Sequence, residues 1–135
     1  MFYDLYKAIK TKMSELEELK IAKFSTKGLI PAEPAARISF PDPVPVESLT
    51  KTSNRDTISV QVDIVSKAFS EADGYIKDDV FENHDILADA ARYLLDGATV
   101  TEYGKLKLKE VSISGEDGGW LVTTMSFELK RTFAP

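Results

Sequence analysis

Apolar side chains recur at spacings of three and four from the start of the chain: Phe2, Leu5, Tyr6, Ile9, Met13, Leu16 and Leu19, with lysines and glutamates between them. The stripe predicts an amphipathic helix over residues 2–19. Its polar face passes from Lys7, Lys10 and Lys12 to Glu15, Glu17 and Glu18, the reverse of what the helix macrodipole favours. The reversal costs on the order of a few tenths of a kcal/mol per charge, which packing of the stripe overrides. Such a helix covers a sheet; the sharper use of the reversed charge is recruitment by a neighbouring subunit.

In the middle of the chain the period changes to two. Ile58, Val60, Val62 and Ile64 alternate with Thr57, Ser59, Gln61 and Asp63 in Thr57–Val65, a strand with one apolar and one polar face. Ile21–Phe24 reads as a short strand before it, followed by a turn at Lys27-Gly28. Between them stand Pro31, Pro34, Pro41, Pro43 and Pro45, which cannot donate to a β ladder. Arg37–Phe40 fits a short edge strand with Ile38 and Phe40 on one face, and Asp42–Val46 an extended connection. The polar, aperiodic Glu47–Asp56 reads as a hairpin or as a loop that orders on binding.

Two adjacent rows, Ile86-Ala90-Leu94 and Leu87-Ala91-Leu95, define a second helix ending at Gly97, with Asp78, Asp79 and Asn83 competing as its amino-terminal cap. Leu106 and Leu108 then alternate with Lys105, Lys107 and Lys109, whereas Val111 and Ile113 take the opposite parity. That switch predicts a β-bulge near Lys109–Glu110. After a turn at Gly115–Gly119, Trp120 opens a long strand in which Leu121, Met125, Phe127 and Leu129 share a face that Thr123 interrupts. Residues 105–114 and 120–131 are therefore expected to pair as a hairpin. Trp120 and Phe133, at the ends of that strand, read as core or interface anchors. The expected fold class is α+β: a mixed, mainly antiparallel sheet of four or five strands with the N-terminal and central helices on one face, in one domain spanning 1–135.

Composition narrows the function. At 135 residues, 43% of them apolar, the chain buries enough surface for its own core. Seventeen basic against 22 acidic side chains, net −5, argue against a general nucleic-acid surface. The absence of cysteine removes disulfides, thiolate zinc sites and thiol nucleophiles, and fits a reducing compartment. Charges throughout Met1–Leu19 leave no apolar signal core or membrane span there. His84 is the one histidine; set among acids, it reads as a surface or half-buried helix residue. No serine has a glycine-flanked nucleophile setting, and Gly115–Gly119 matches no phosphate-binding fingerprint. The expectation is contact rather than catalysis, with no cofactor.

Charge is segregated. Ser70–Glu102 holds nine carboxylates against Lys77 and Arg92, net −7, leaving +2 for the rest of the chain. Glu82, Asp85 and Asp89 share one side of the helix, but a divalent-cation site needs carboxylates converging from a second acidic helix, which the sequence lacks. The acidic run is then a solvated face, a surface that DNA slides past, or the complement of a basic patch on another copy. Lys105, Lys107 and Lys109, beside Lys130 and Arg131 on the partner strand, form such a patch. The candidate subunit or partner contacts are Lys105, Lys107, Lys109, Asp78, Asp79, Glu82 and Asp85, with Lys51, Asn54 and Arg55 in Glu47–Asp56 and Asp117 in the Gly115–Gly119 turn.

Taken with their order, FYDLYKAIKTKM, RDTISVQVDIVSK, DILADAARYLLDG and GGWLVTTMSFELKRTF resemble the tail terminator (tail completion, or head-to-tail joining) proteins of long-tailed bacteriophages. The resemblance spans most of the chain in element order and texture; the acidic stretch between Ser66 and Asn83 departs from many relatives. It implies a homohexameric ring that stops tail-tube polymerisation and joins the tail to the head-side connector. The implied partners are copies of itself, the tail tube protein and the connector, with DNA passing through the channel without specific binding and no membrane. The implied location is the virion, and the host cytoplasm during assembly. Two other classes are weighed beside it: another head–tail adaptor or tail-tube subunit, and a small α+β enzyme with a sheet cavity using Asp63 or Tyr103 as acid and base.

Overall fold

The computed structural model describes residues 2–17, 19, 21–24, 34–48, 54–68, 75–100, 104–116 and 119–133. Two long strands form its spine. β4 (Asn54–Lys67) and β8 (Trp120–Phe133) are antiparallel over fourteen consecutive residue pairs, from Asn54 opposite Phe133 to Lys67 opposite Trp120. Inward, Ile58, Val60, Val62 and Ile64 stand opposite Leu129, Phe127, Met125 and Thr123, all buried. Full burial of each such aliphatic side chain is worth about 1.5–3 kcal/mol, so the alternation read from sequence sets the register.

The sheet extends from this spine in the order β1-β2-β4-β8-β7, where β1 is Ile21–Phe24, β2 Ala35–Ser39 and β7 Lys107–Glu116. β3 (Val46–Ser48) pairs with the first residues of β4, so the hairpin reading of Glu47–Asp56 holds for its two arms. β1 runs parallel to β2, and the other pairs are antiparallel. The α+β class and the mixed, mainly antiparallel sheet are as expected from sequence. One placement differs: β2 is an interior strand, not an edge. Pro34 and Pro41 bracket it without entering it, so all five of its residues ladder with β4 and four with β1. The Lys27-Gly28 turn lies outside the described residues.

Between β8 and β7 the register slips by one residue between Leu108 and Glu110, leaving Lys109 as the extra residue. This is the bulge that the parity switch predicts. It lets Leu108 and, beyond it, Val111 and Ile113 all face inward, opposite Phe127, Met125 and Thr123.

Both helices pack on the inward face. α1 spans Phe2–Met13, burying Leu5, Ile9 and Met13. It is shorter than the predicted 2–19: beyond Lys12, backbone bonds from Glu15 to Lys12, Leu16 to Met13 and Leu19 to Leu16 close tighter three-residue turns. Leu16 and Leu19 still reach the core, which is why their spacing continued the helical stripe. α2 spans Asp78–Leu95 and buries His84, Leu87, Ala88, Ala91 and Leu95. Only one of the two predicted rows is the buried one. Ile86 is 60% exposed and Ala90 and Leu94 half-buried, because the helix is turned so that His84 and Ala88 meet the sheet. None of the three predicted caps is used: Lys77 stands at the cap position without a side-chain hydrogen bond, and Asp78 and Asp79 in the first turn complement the macrodipole. At the other end the left-handed helix cap predicted at Gly97 is replaced by a type II turn. Asp96 is extended (φ −67°, ψ 121°), Gly97 has φ +77°, the Ala98 N–H donates to the Leu95 carbonyl at 3.0 Å, and the Gly97 N–H donates to the Leu106 carbonyl. The short pair β5 (Thr99–Val100) and β6 (Gly104–Lys105) follows.

Because Lys109 is the surplus residue, deleting it preserves the inward placement of Val111 and Ile113, whereas deleting Ser112 turns Ile113 outward. In urea denaturation the Lys109 deletion is expected to lose clearly less stability than the Ser112 deletion; equal losses would contradict this register.

Candidate functional site

His84 is 2% exposed, a correction to the surface or half-buried position expected from its acidic neighbours. α2 lowers the ring onto the inward face of the sheet, with Nδ1 2.8 Å from Ser66 Oγ on β4 and Nε2 2.8 Å from Thr123 Oγ1 on β8. Each hydroxyl can accept a ring N–H or donate to a bare ring nitrogen, so both nitrogens are paired and it is burial, not the partners, that favours the neutral imidazole. Burial lowers its pKa from 6.5, and Asp85 nearby opposes this only in part. The Ser–His proximity was missed in the sequence. Two signals marked it: Ser66 continues the inward parity of Ile58–Ile64, and Thr123 breaks the apolar face of β8. The buried Ser66–His84–Thr123 array ties helix to sheet, with the imidazole bridging β4 and β8.

On the opposite face, Arg37 Nη2 lies 3.0 Å from Asp63 Oδ2 across the β2–β4 register, both side chains nearly buried. Gln61 Nε2 donates to Asp63 Oδ1 at 3.1 Å. Asp63, considered above as an enzymatic acid or base, is thus held in an ion pair, and Tyr103 lies outside the described residues. Beside this pair Val65, Trp120 and Val122 form a second small buried cluster, with Lys67 Nζ 5.9 Å from the Trp120 ring centre. Trp120 is accordingly buried, while the Phe133 side chain lies outside the described ones.

The charged candidates fall on two surfaces. Asp78, Asp79, Glu82 and Asp85 are exposed along the first half of α2, and Lys105, Lys107 and Lys109 are exposed on β6 and at the start of β7. Arg55 is exposed near the start of β4, where Asn54 pairs through its backbone with Ser48 and Phe133; Lys51 and Asp117 lie outside the described residues. Between α2 and β7 runs a groove of about 150 Å³, walled by Asp85, Ala88, Asp89 and Arg92 and floored by Val111, Ile113 and Met125. At its lower end Asp96 Oδ1 accepts the Leu108 N–H at 3.2 Å. A wider, open cleft of about 530 Å³ lies between the end of α1 and β5, with Lys12 and Glu15 bridging 3.8 Å along its wall. Among the described residues no three His, Asp or Glu side chains are grouped to hold a metal ion, and no helix is long and apolar enough to cross a membrane.

No protein-family model and no curated protein matches the sequence. Solved structures do. A chain in a structure described as the virion of a native gene transfer agent (GTA) particle superposes with a TM-score of 0.68, at 12% sequence identity, over 96% of this chain and 95% of that one. At that identity the likeness establishes a shared fold.

Replacing His84 with leucine leaves two buried hydroxyls unpaired, an expected loss of about 1–3 kcal/mol in urea melts. Because the native pKa lies below the unfolded value of 6.5, the unfolded chain binds the extra proton. Wild-type stability is therefore full above about pH 6.5 and falls as pH drops below it, a component that His84→Leu should lack. Replacing Arg37 with methionine strands Asp63 in the sheet and should cost about 3–5 kcal/mol in the same assay.

Proposed function

We propose that this chain is a structural virion protein of a long-tailed phage or phage-like particle. In this reading it is a tail terminator: a ring, six copies around, that caps the tail tube, ends its polymerisation and joins the tail to the head-side connector. The observation that carries the reading is the superposition of almost the whole chain on a chain of a gene transfer agent virion. The element order of the tail terminators, to which the sequence bears its resemblance, points the same way.

The geometry supplies what such a part needs. The long β4–β8 ribbon makes a stiff slab, and the polar groups buried within it are engaged in holding it together. Its flanks are unlike, which suits head-to-tail contacts between copies rather than a two-fold dimer. Asp78, Asp79, Glu82 and Asp85, with Lys105, Lys107 and Lys109, are the contacts between copies or to partner rings. The β3–β4 hairpin carrying Lys51, Asn54 and Arg55, and the Gly115–Gly119 turn with Asp117, face the tail tube or the connector. DNA passes through the channel without being gripped. The protein acts in the virion, at the head–tail junction, after assembly in the host cytoplasm.

Two measurements check the reading. In particles lacking the chain, electron microscopy should show tubes of unregulated length and heads without attached tails. Tubes of normal length with detached heads would instead indicate a head-side adaptor, and absence of tubes a tube subunit. Reversing Lys105, Lys107 and Lys109 to glutamate should weaken self-association, read as native mass against concentration, with the fold retained by circular dichroism; unchanged assembly would remove that patch from the contact.

A further inference from the structure

Apart from Val46 and Tyr75, the large apolar side chains that stay exposed among the described residues fall into two groups. Phe81, Ile86, Tyr93, Val111 and Ile113 lie on α2 and β7; Phe2 and Tyr3 begin α1. The α2–β7 groove belongs to the first group. Val111 and Ile113, each nearly half exposed, form an apolar floor beneath a wall that carries Asp85, Asp89 and Arg92. Its volume of about 150 Å³ leaves room for one aromatic ring. It opens along β7, the end strand of the sheet, whose far side has no partner among the described residues.

The second group lies across the molecule. The Phe2 ring is 5.1 Å from that of Phe40, just beyond β2, so α1 starts on the side of the sheet that β4 and β8 separate from β7. Tyr3 is 68% exposed, its ring 6.2 Å from that of Tyr6, with Lys7 Nζ 5.3 Å from the Tyr3 ring centre and Lys10 Nζ 5.8 Å from that of Tyr6. These contacts hold an aromatic–lysine patch in place before any partner arrives. The charges are complementary: α1 carries three lysines and Asp4, net +2, and α2 five carboxylates and Arg92, net −4.

We infer that the occupant of the groove is a second copy of this chain, whose Tyr3 ring enters between α2 and β7 while Lys7 and Lys10 close on Asp85 and Asp89. Arg92 then lies against the face of the incoming ring. An aromatic anchor that closes over this half-exposed apolar floor, rimmed by opposite charges, concentrates binding energy at one point and sets the orientation of the approach. Because the two patches differ and sit on opposite flanks, the contact repeats from copy to copy and closes only as a ring. The inference rests on the ring reading above and names the surfaces that close it.

The chain has no cysteine, so two variants report the contact cleanly. Full-length Asp4→Cys and Ser112→Cys proteins, which keep Tyr3 and the Val111–Ile113 floor, are mixed under conditions where native mass shows oligomers, and treated with a short bis-maleimide. Cross-linked dimer should form several-fold faster in the mixture than with either variant alone, and the double variant should give a ladder of multimers. Lys7→Glu should weaken association several-fold, with Asp89→Lys in the same chain restoring it. Oligomers that persist without cross-linking in the mixture would overturn this contact and leave the ring reading standing. Equal cross-linking by each variant alone would overturn it in favour of a symmetric dimer. A chain that remains monomeric both in solution and on tail tubes would overturn the contact and the ring together. Circular dichroism of each variant, all at exposed positions, separates lost contact from lost fold.

Discussion

Fourteen consecutive residue pairs join β4 to β8, and both helices rest on the inward face of that ribbon. Every other feature takes its position from this ladder. The strand period is two, so a slip of β4 by one residue would turn Ile58, Val60, Val62 and Ile64 to the outer face while Leu129, Phe127 and Met125 on β8 stayed inward without their partners. The loss of several fully buried side chains, at about 1.5–3 kcal/mol each, exceeds the whole stability of many domains. The irregularity is consequently confined to the edge, where the bulge at Lys109 accommodates a parity change without disturbing the spine.

Polar groups reinforce the same register from both faces. His84 reaches β4 and β8 simultaneously, and its two hydrogen bonds form only when Ser66 and Thr123 are near neighbours across the ladder. On the other face the Arg37–Asp63 pair does the same for β2 and β4. Buried hydrogen bonds of this kind add modest net stability, but an alternative register would leave each group unsatisfied. The polar residues that first suggest acid–base chemistry are thereby committed to architecture. The exposed charges are segregated: acidic on α2, basic on β6 and β7, aromatic and basic at the start of α1.

The fold is shared with a virion chain at 12% identity: ladder and helix placement persist while nearly all side chains change.

Periodicity and parity in the chain determined the elements themselves. The alternation of Thr57–Val65, the helical row Leu87-Ala91-Leu95 and the bulge near Lys109 all follow from local spacing, because backbone geometry fixes which neighbours share a face. The tertiary structure alone decided which face of α2 is buried, that β2 lies inside the sheet between its bracketing prolines, and that His84, Ser66 and Thr123 meet. These outcomes depend on residues 18 and 39 positions apart being brought to hydrogen-bonding distance. They also depend on how far a helix rotates as it settles on a sheet. Local pattern carries neither quantity, since both are set by packing of the assembled layers.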